Sequence, residues 1–279
     1  MSDPLRLPVL KTYKLFVAGA FPRSESGRSD PIKDAGGKVI GHSSKASRKD
    51  LRDAVAAARK ALPGWANATA YNRGQVLYRL GEMLEGKRAE FVELLTLGGA
   101  GEPDAQREVT ASVDRLVAYA GWADKYPQVL GCQNPVAGPY WNITAPEPIG
   151  VMGVVCPAAL PSLLGIVALV APAICVGNTV VVLAEGFAPV ASVLGEACAT
   201  SDVPAGVINL LTGSLDELAP VLAKHRDVDA IHAASVSEPL AVTLREGAGD
   251  NLKRVVIRGV PNPLDLFDDP ACTSPAWLE

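Results

Sequence analysis

Few residues of this chain combine the types and the spacing that chemistry requires. A zinc site needs clustered Cys or His ligands, and a nucleophilic cysteine needs a nearby base. No CxxC pair and no ligand spacing of histidines occurs in the sequence. The cysteines are Cys132, Cys156, Cys175, Cys198 and Cys272, and the histidines are His42, His225 and His232. We therefore predict no metal site and no catalytic residue, and we interpret Cys156 and Cys175 as buried hydrophobic groups.

Polar residues in three loops are the other candidates for binding. Ser235 and Ser237 precede a predicted helix, where a serine caps the helix or its backbone amide meets an anion. We favour the capping role. Glu185 follows a predicted strand, and a solvated loop carboxylate is its simplest interpretation. Gly213 marks a turn after another strand, and no G-x-G-x-x-G motif follows the first strand. A dinucleotide is therefore not predicted from that signal.

The elements that position these loops are organised around a long uncharged stretch. From Pro148 to Ala184 the chain contains no charged residue. Such a run is either a membrane span or the centre of a buried sheet. Proline at 157, 161 and 172 interrupts it, whereas a span needs about 20 continuous apolar residues. We predict a strand–helix–strand unit of a water-soluble domain, with a membrane span as the alternative.

From residue 150 onward the sequence alternates strands and helices. The predicted strands are Val151–Cys156, Thr179–Leu183, Val207–Leu211, Asp229–Ala233 and Arg254–Ile257. The predicted helices are Ser162–Val176, Pro189–Thr200, Leu215–Lys224 and Glu238–Ala248. Because right-handed βαβ crossovers join parallel strands, the fold class is α/β. We predict a doubly wound, Rossmann-like, five-stranded parallel sheet preceded by a helical region.

The N-terminal half shows helical periodicity after one short strand. Lys14–Phe21 has strand character, and Tyr140–Ala145 is a second, weaker candidate. Ser47 and Asp50 have the spacing of a capping box that opens a helix. The Pro63-Gly64 pair predicts the end of that helix.

We divide the chain into four parts on this basis. Residues 1–130 are the helical part of a nucleotide-binding-type domain, and 131–149 are a partial oligomerisation hairpin. Residues 150–260 form the sheet, and 261–279 are a tail.

Composition narrows the classes of partner and compartment. Hydrophobic residues make up 48% and charged residues 20% of the 279 residues, with a net charge of −4. This balance is typical of a globular protein, and without a basic run it argues against nucleic acid as a partner. The first residues lack the apolar core of a signal peptide. An odd number of cysteines without disulfide spacing fits a reducing compartment, so we expect a cytoplasmic protein.

The order of segments resembles the aldehyde dehydrogenase superfamily over most of the chain. The blocks that carry the resemblance are KLFVAGAF, GKVIGHSSKASRKDLRDAVAAARKAL, AYAGWADKY, PEPIGVMGVV, APAICVGNTVVV, DVPAGVINLLTG, HRDVDAI and NPLDLFDDPA. Several shared blocks in one order are a specific signal. The resemblance implies the nucleotide-binding half of that family, whose members use NAD or NADP to oxidise aldehydes.

The residues that the family uses for chemistry differ here. Ala159 stands where the resemblance implies an oxyanion-binding Asn, Leu183 where it implies a ribose-binding Lys, and Gly186 where it implies a Glu. Ser235 falls in the stretch that matches a glycine-containing phosphate loop, while Gly213 persists in a neighbouring loop. The stretch 256–260 contains no carboxylate, although the resemblance implies a general base there.

These departures lead to an expectation of lost catalysis. Cys272 lies too early to match the family's nucleophilic cysteine, which belongs to a further domain, and we interpret it as a tail thiol. We expect no cofactor and a non-catalytic subunit whose partner is a full-length aldehyde dehydrogenase homologue, with self-association as the second choice. The alternatives are an NAD- or NADP-dependent oxidoreductase subunit that is active only in a complex, and a ligand-binding sensor.

Overall fold

The N-terminal third of the chain combines a small sheet with a layer of helices. The computed structural model describes residues 9–156, 158–159 and 162–258. Strands β1 (Lys11–Tyr13), β2 (Ser29–Lys33) and β3 (Val39–Ser44) form a sheet with β3 in the middle. The helices that follow are α1 (Arg48–Ala66), α2 (Ala70–Gly86), α3 (Arg88–Leu97), α4 (Glu102–Trp122) and α5 (Tyr126–Leu130).

The strand predicted at Lys14–Phe21 is wrong in position. Strand β1 ends at Tyr13, and residues 16, 17 and 20 form only isolated bridges. The reason is local, because Ala18 and Gly19 adopt φ values of 53° and 75°. Two successive residues in the left-handed region turn the chain back on itself, which an extended strand cannot do.

Helix α1 begins as predicted but ends later. Ser47 Oγ accepts the Asp50 N–H, and the Asp50 carboxylate accepts the Ser47 N–H, which forms a capping box. The helix continues through Pro63 to Ala66, so the predicted end at Pro63-Gly64 is wrong. Trp65 is 2% exposed and its Nε1–H donates to the Ile174 carbonyl at 3.0 Å. Burial of this side chain holds the last turn in place despite the hydrogen bond that proline removes.

A short hairpin separates the helical layer from the large sheet. Strands β4 (Cys132–Gln133) and β5 (Ile143–Thr144) pair antiparallel. The strand character at Tyr140–Ala145 is therefore realised only at Ile143 and Thr144. Tyr140, Trp141 and Ile143 are 72%, 80% and 66% exposed, so this hairpin presents apolar side chains to solvent.

The second half of the chain forms the predicted parallel sheet. The elements in order are β6 (Val151–Val155), α6 (Ser162–Cys175), β7 (Thr179–Leu183), α7 (Ala188–Ala199), β8 (Ile208–Leu211), α8 (Leu215–Lys224), β9 (Ala230–Ala234), α9 (Glu238–Gly249) and β10 (Arg254–Arg258). All five strands are parallel, in the order β10-β9-β6-β7-β8. The fold class predicted from the sequence is confirmed, and each strand boundary agrees within one residue.

Apolar side chains cover the sheet on both faces. One hydrophobic cluster joins α6 and α7 to α2, α3 and α4, and it includes Val154 and Val182. The other joins α1, α8 and α9, and it includes Val155 and Leu183. Gly153 allows α8 to approach β6 closely, because a Cβ there would lie 2.8 Å from a Leu222 methyl group. The alternation of faces along each strand produces this division.

The two edges of the sheet differ. At the β8 edge, Phe16 and Leu210 exchange two backbone hydrogen bonds of 3.0 and 2.7 Å. The Ala18 N–H also donates to Asn209 Oδ1 at 3.0 Å. At the other edge, β10 pairs with β9 on its inner side, and no strand within 9–156, 158–159 and 162–258 pairs with its outer side. The N-terminal segment thus covers one edge only.

The helices of the described residues are too short or too polar to cross a membrane. The most apolar of them, α6, has 14 residues and is buried along its length. Its hydrophobic surface packs against the sheet and the N-terminal helices.

Candidate functional site

The strand order places a crevice at the carboxyl edge of the sheet. Strand β6 comes first in the sheet sequence, and its neighbours are β7 on one side and β9 on the other. In open α/β sheets, ligands bind outside the carboxyl ends of the strands where this reversal occurs. The five candidate positions Ala159, Leu183, Gly186, Gly213 and Ser235 all follow or end strands at this edge. The fold therefore brings them to one side of the molecule.

The end of β7 is closed by apolar packing. Leu183 is 1% exposed and belongs to the hydrophobic cluster that also contains Leu215 and Leu218. The exposed Glu185 carboxylate accepts the Leu215 N–H at 3.2 Å, at the start of α8. Glu185 thus caps a helix, which adds a specific role to the solvated carboxylate predicted from the sequence. Gly186 is half-buried beside it and contributes no side chain.

The loop after β9 retains an unusual backbone conformation. Ser235 has a φ of 51°, in the left-handed region that favours glycine. Its N–H donates to the Arg258 carbonyl at 3.0 Å, so this amide extends the pairing of β9 with β10. Gly213, with a φ of 150°, provides the corresponding turn after β8. Ser235 is exposed and does not cap α9.

The start of α9 is a poor site for an anion. Ser237 occupies the N-cap position, but its side chain makes no capping hydrogen bond, so the predicted capping role holds for its backbone only. Glu238 adds a carboxylate to the first turn, and Pro239 has no N–H to donate. Glu238 lies 3.5 Å from Arg245, at the surface.

A histidine–arginine pair occupies the neighbouring strands β9 and β10. The Arg258 Nε–H donates to His232 Nε2 at 2.9 Å. Burial, and then the positive charge of Arg258, lower the pKa of His232 to about 3, although a hydrogen bond to the Leu169 carbonyl opposes this change. The imidazole is therefore neutral at pH 7 and accepts a proton donor from Arg258. A guanidinium cannot act as a general base, because it stays protonated.

The described cysteines near this edge are unreactive. Cys156 follows β6 and is 2% exposed, and burial raises the pKa of its thiol. Burial likewise raises the pKa of Cys175 and of Cys198 to about 12. Nucleophilic attack requires a thiolate, so none of these three is a nucleophile. Ala159 is exposed in the loop after β6 and offers no donor, and Cys272 lies outside the described residues.

Sequence reasoning missed one buried carboxylate near the crevice. Glu108 is 5% exposed on α4, and its Oε1 accepts the N–H groups of Leu163 and Leu164 at 2.8 and 3.1 Å. Burial raises the pKa of Glu108 more than these two hydrogen bonds lower it. The signal was present, because Glu108 falls on the apolar face of α4 together with Ala105 and Val109. A charge on such a face predicts a specific partner.

No three His, Cys, Asp or Glu side chains among the described residues converge as a metal site would require.

The chain matches one protein family and many of its members. A family model described as the aldehyde dehydrogenase family matches residues 21–269. Retinal dehydrogenase 2 of Mus musculus is 34% identical over 270 residues, which cover 93% of this chain and 51% of that protein. The mitochondrial benzaldehyde dehydrogenase of Antirrhinum majus is 32% identical over 278 residues, covering 96% and 51%. The chain thus spans about half the length of these relatives.

Solved structures show the same relationship. PnpE from Pseudomonas sp. WBC-3 superposes with a TM-score of 0.84 at 27% identity, over 88% of this chain and 50% of that one. The NAD-dependent aldehyde dehydrogenase of Sinorhizobium meliloti gives a TM-score of 0.83 at 27% identity, over 92% and 51%. The fold and the sequence therefore agree on one group of relatives.

Proposed function

Because this chain belongs to the aldehyde dehydrogenase family, we propose that it is a non-catalytic member that acts as a structural partner of a full-length homologue. The observation that carries the proposal is the arrangement at the carboxyl edge of the sheet. Leu183 is buried among apolar side chains where the resemblance implies a ribose-binding lysine. Arg258 is bonded to His232 in the stretch where the resemblance implies a catalytic carboxylate.

The residues present do not fit NAD or NADP in the manner that the resemblance implies. The β7 end offers an aliphatic side chain instead of an ammonium group, and Gly186 offers no carboxylate to the ribose hydroxyls. At α9, Glu238 repels a pyrophosphate, and Pro239 removes one of the amides that would bind it. We therefore propose that this crevice holds no nicotinamide cofactor, and that Ala159 leaves an oxyanion without its side-chain donor.

Exposed apolar groups on the β4–β5 hairpin support a partner protein. Tyr140, Trp141 and Ile143 are mostly exposed on a hairpin of two short strands. The resemblance implies that this region pairs with a distant strand in oligomers. Contiguous exposed aromatic side chains and short open strand edges favour association. We propose a hetero-oligomer with a homologous dehydrogenase, and an obligate interface of this kind buries more than ~2,000 Å².

We also propose a cytoplasmic location. The four described cysteines are free, and three of them are buried in apolar surroundings. Free thiols of this kind are typical of a reducing compartment.

Calorimetric titration with NAD and NADP tests the absence of a cofactor. We expect no heat of binding up to millimolar nucleotide, while the Sinorhizobium meliloti enzyme, which is named as NAD-dependent, serves as the positive control. Binding at micromolar concentration, or reduction of NAD by the purified chain with an aldehyde, would contradict the proposal. Binding without turnover would instead favour a nucleotide sensor.

Purification from the native host tests the structural partner. A tagged chain is expected to co-elute with a longer homologue, and light scattering should give the mass of a mixed oligomer. Replacing Tyr140 and Trp141 by serine should release the partner without changing the melting temperature, because both side chains are exposed. Replacement of the exposed Tyr71, which lies on α2, is the matched control and should leave the complex intact. A stable monomer that retains no homologue would rule out this role.

A further inference from the structure

The open edge of the sheet presents charges and an apolar residue in alternation. Along β10, Arg254, Val256 and Arg258 point to the same face because strand side chains alternate. Arg254 is exposed, and Val256 is 42% exposed. A narrow cavity beside Val256 is lined by Met152 and Pro172. This face therefore consists of an apolar floor between two guanidinium groups.

The backbone of β10 is ready to accept one more strand. The Arg258 carbonyl accepts the Ser235 N–H, so the backbone groups of Arg258 point inward to β9. Because these groups alternate in direction along a strand, those of Val255 and Ile257 point outward to the open edge. No strand within the described residues uses them. An added strand would form hydrogen-bonded pairs at Val255 and Ile257.

The charges decide which strand fits. Two copies of β10 paired antiparallel about Val256 would place each Arg254 opposite an Arg258, and like charges in direct opposition are destabilising. The edge thus opposes association with itself. A strand with an acidic, an apolar and an acidic residue at alternate positions would complement it at all three places.

The chain carries this pattern a short distance downstream. Residues 265–269 read Asp-Leu-Phe-Asp-Asp, with Asp265, Phe267 and Asp269 at alternate positions. Six residues, 259–264, connect this segment to Arg258 and include two prolines and a glycine, which are typical of a turn. We propose that Asp265–Asp269 of the same chain binds the outer edge of β10 as an antiparallel sixth strand.

The proposed register is fixed by the length of the connection. It places Asp265 opposite Arg258, Phe267 opposite Val256 and Asp269 opposite Arg254. These three pairs are of the non-hydrogen-bonded type, in which facing side chains come closest. Phe267 would cover Val256 and the cavity beside it. The proposal is independent of the function proposed above, because neither cofactor loss nor a partner protein enters it.

A disulfide tests the register directly. We would introduce Val256→Cys with Phe267→Cys in a background that carries Cys132→Ser and Cys272→Ser, and oxidise mildly. Mass spectrometry should show the loss of two free thiols in a monomer. Val255→Cys with Phe267→Cys is the matched control and should form several-fold less, because Val255 points to the opposite face. Equal yields in both variants, or a disulfide between two molecules, would overturn the proposal.

Charge reversal supplies a second measurement that does not depend on cysteine. Arg254→Glu and Asp269→Arg should each accelerate hydrogen exchange at the Val255 and Ile257 amides by about fivefold, the size expected for one cross-strand pair. The double variant restores an opposite-charge pair and should return exchange to the wild-type rate. Arg254 is exposed, so the sheet tolerates its replacement. Exchange that is fast in the wild type, or that the double variant fails to restore, would overturn the proposal.

Discussion

Acid should destabilise this protein through one buried histidine. His232 is 4% exposed and neutral, since burial and the Arg258 charge lower its pKa from 6.5 to about 3. The folded state therefore disfavours the protonated imidazole, which the unfolded chain accepts freely. This contribution to stability is complete above pH 6.5 and is lost as the pH falls from 6.5 toward 3.

The size of the effect follows from the two pKa values. Between pH 7.5 and pH 5.0 the unfolded state takes up most of one proton at His232, while the folded state takes up almost none. With about 1.4 kcal/mol for each pKa unit, the free energy of unfolding falls by roughly 2 kcal/mol over this interval. Such a change is large compared with a total stability of about 5–15 kcal/mol.

Urea unfolding at several pH values measures this contribution. His232→Leu removes the titrating group and keeps an apolar side chain of similar size, while Arg258 is partly exposed and can turn to water. The variant should lose roughly 2 kcal/mol less than the wild type between pH 7.5 and 5.0. His225→Gln is the control: this histidine is much less buried, and burial lowers its pKa by a smaller amount. Parallel pH profiles of wild type and His232→Leu would refute the reasoning.

Three further substitutions test local features of the fold by urea or thermal unfolding. Ser235→Gly should stabilise the protein by about 1 kcal/mol, because glycine adopts the φ of 51° without steric cost. Glu108→Ala should destabilise it by about 2–3 kcal/mol, because two buried amides of α6 lose their acceptor. Gly153→Ala should cost about 1–3 kcal/mol, because the new methyl group overlaps Leu222.

Matched controls separate these effects from generic ones. Ser237→Gly, at a φ of −64°, should not stabilise the protein. Glu108→Gln retains an acceptor oxygen and should cost less than Glu108→Ala. Gly86→Ala meets no atom within 4 Å and should be neutral or stabilising. The explanations fail if Ser235→Gly destabilises, if the two Glu108 variants are equal, or if Gly153→Ala is harmless.

The sequence was sufficient for the parts of the fold that depend on local pattern. β-branched runs such as Thr179–Leu183 predict buried parallel strands, and Ser47 and Asp50 predict the start of α1. The end of α1 was not predictable, because it depends on the contact of Trp65 with Ile174. The break after Tyr13 depends on a turn at Ala18, a residue with no turn preference.

The candidate site divides in the same way. The positions of Leu183 and Ser235 at the carboxyl edge follow from the strand pattern. The φ of Ser235 and the pairing of His232 with Arg258 do not, because each depends on the register of β9 with β10. The role of Glu108 required knowing that α4 lies beside the start of α6. Contacts between residues far apart in sequence carry this information, and periodicity within a segment does not contain it.

The covered β8 edge limits how copies of this protein can assemble. Phe16 occupies the backbone groups of Leu210, so a second molecule cannot add a strand there without displacing the N-terminal segment. Growth of a fibre by edge-to-edge stacking requires two available sides on every subunit. A domain with one sealed side terminates such growth after a single addition, which protects a highly apolar sheet from polymerising.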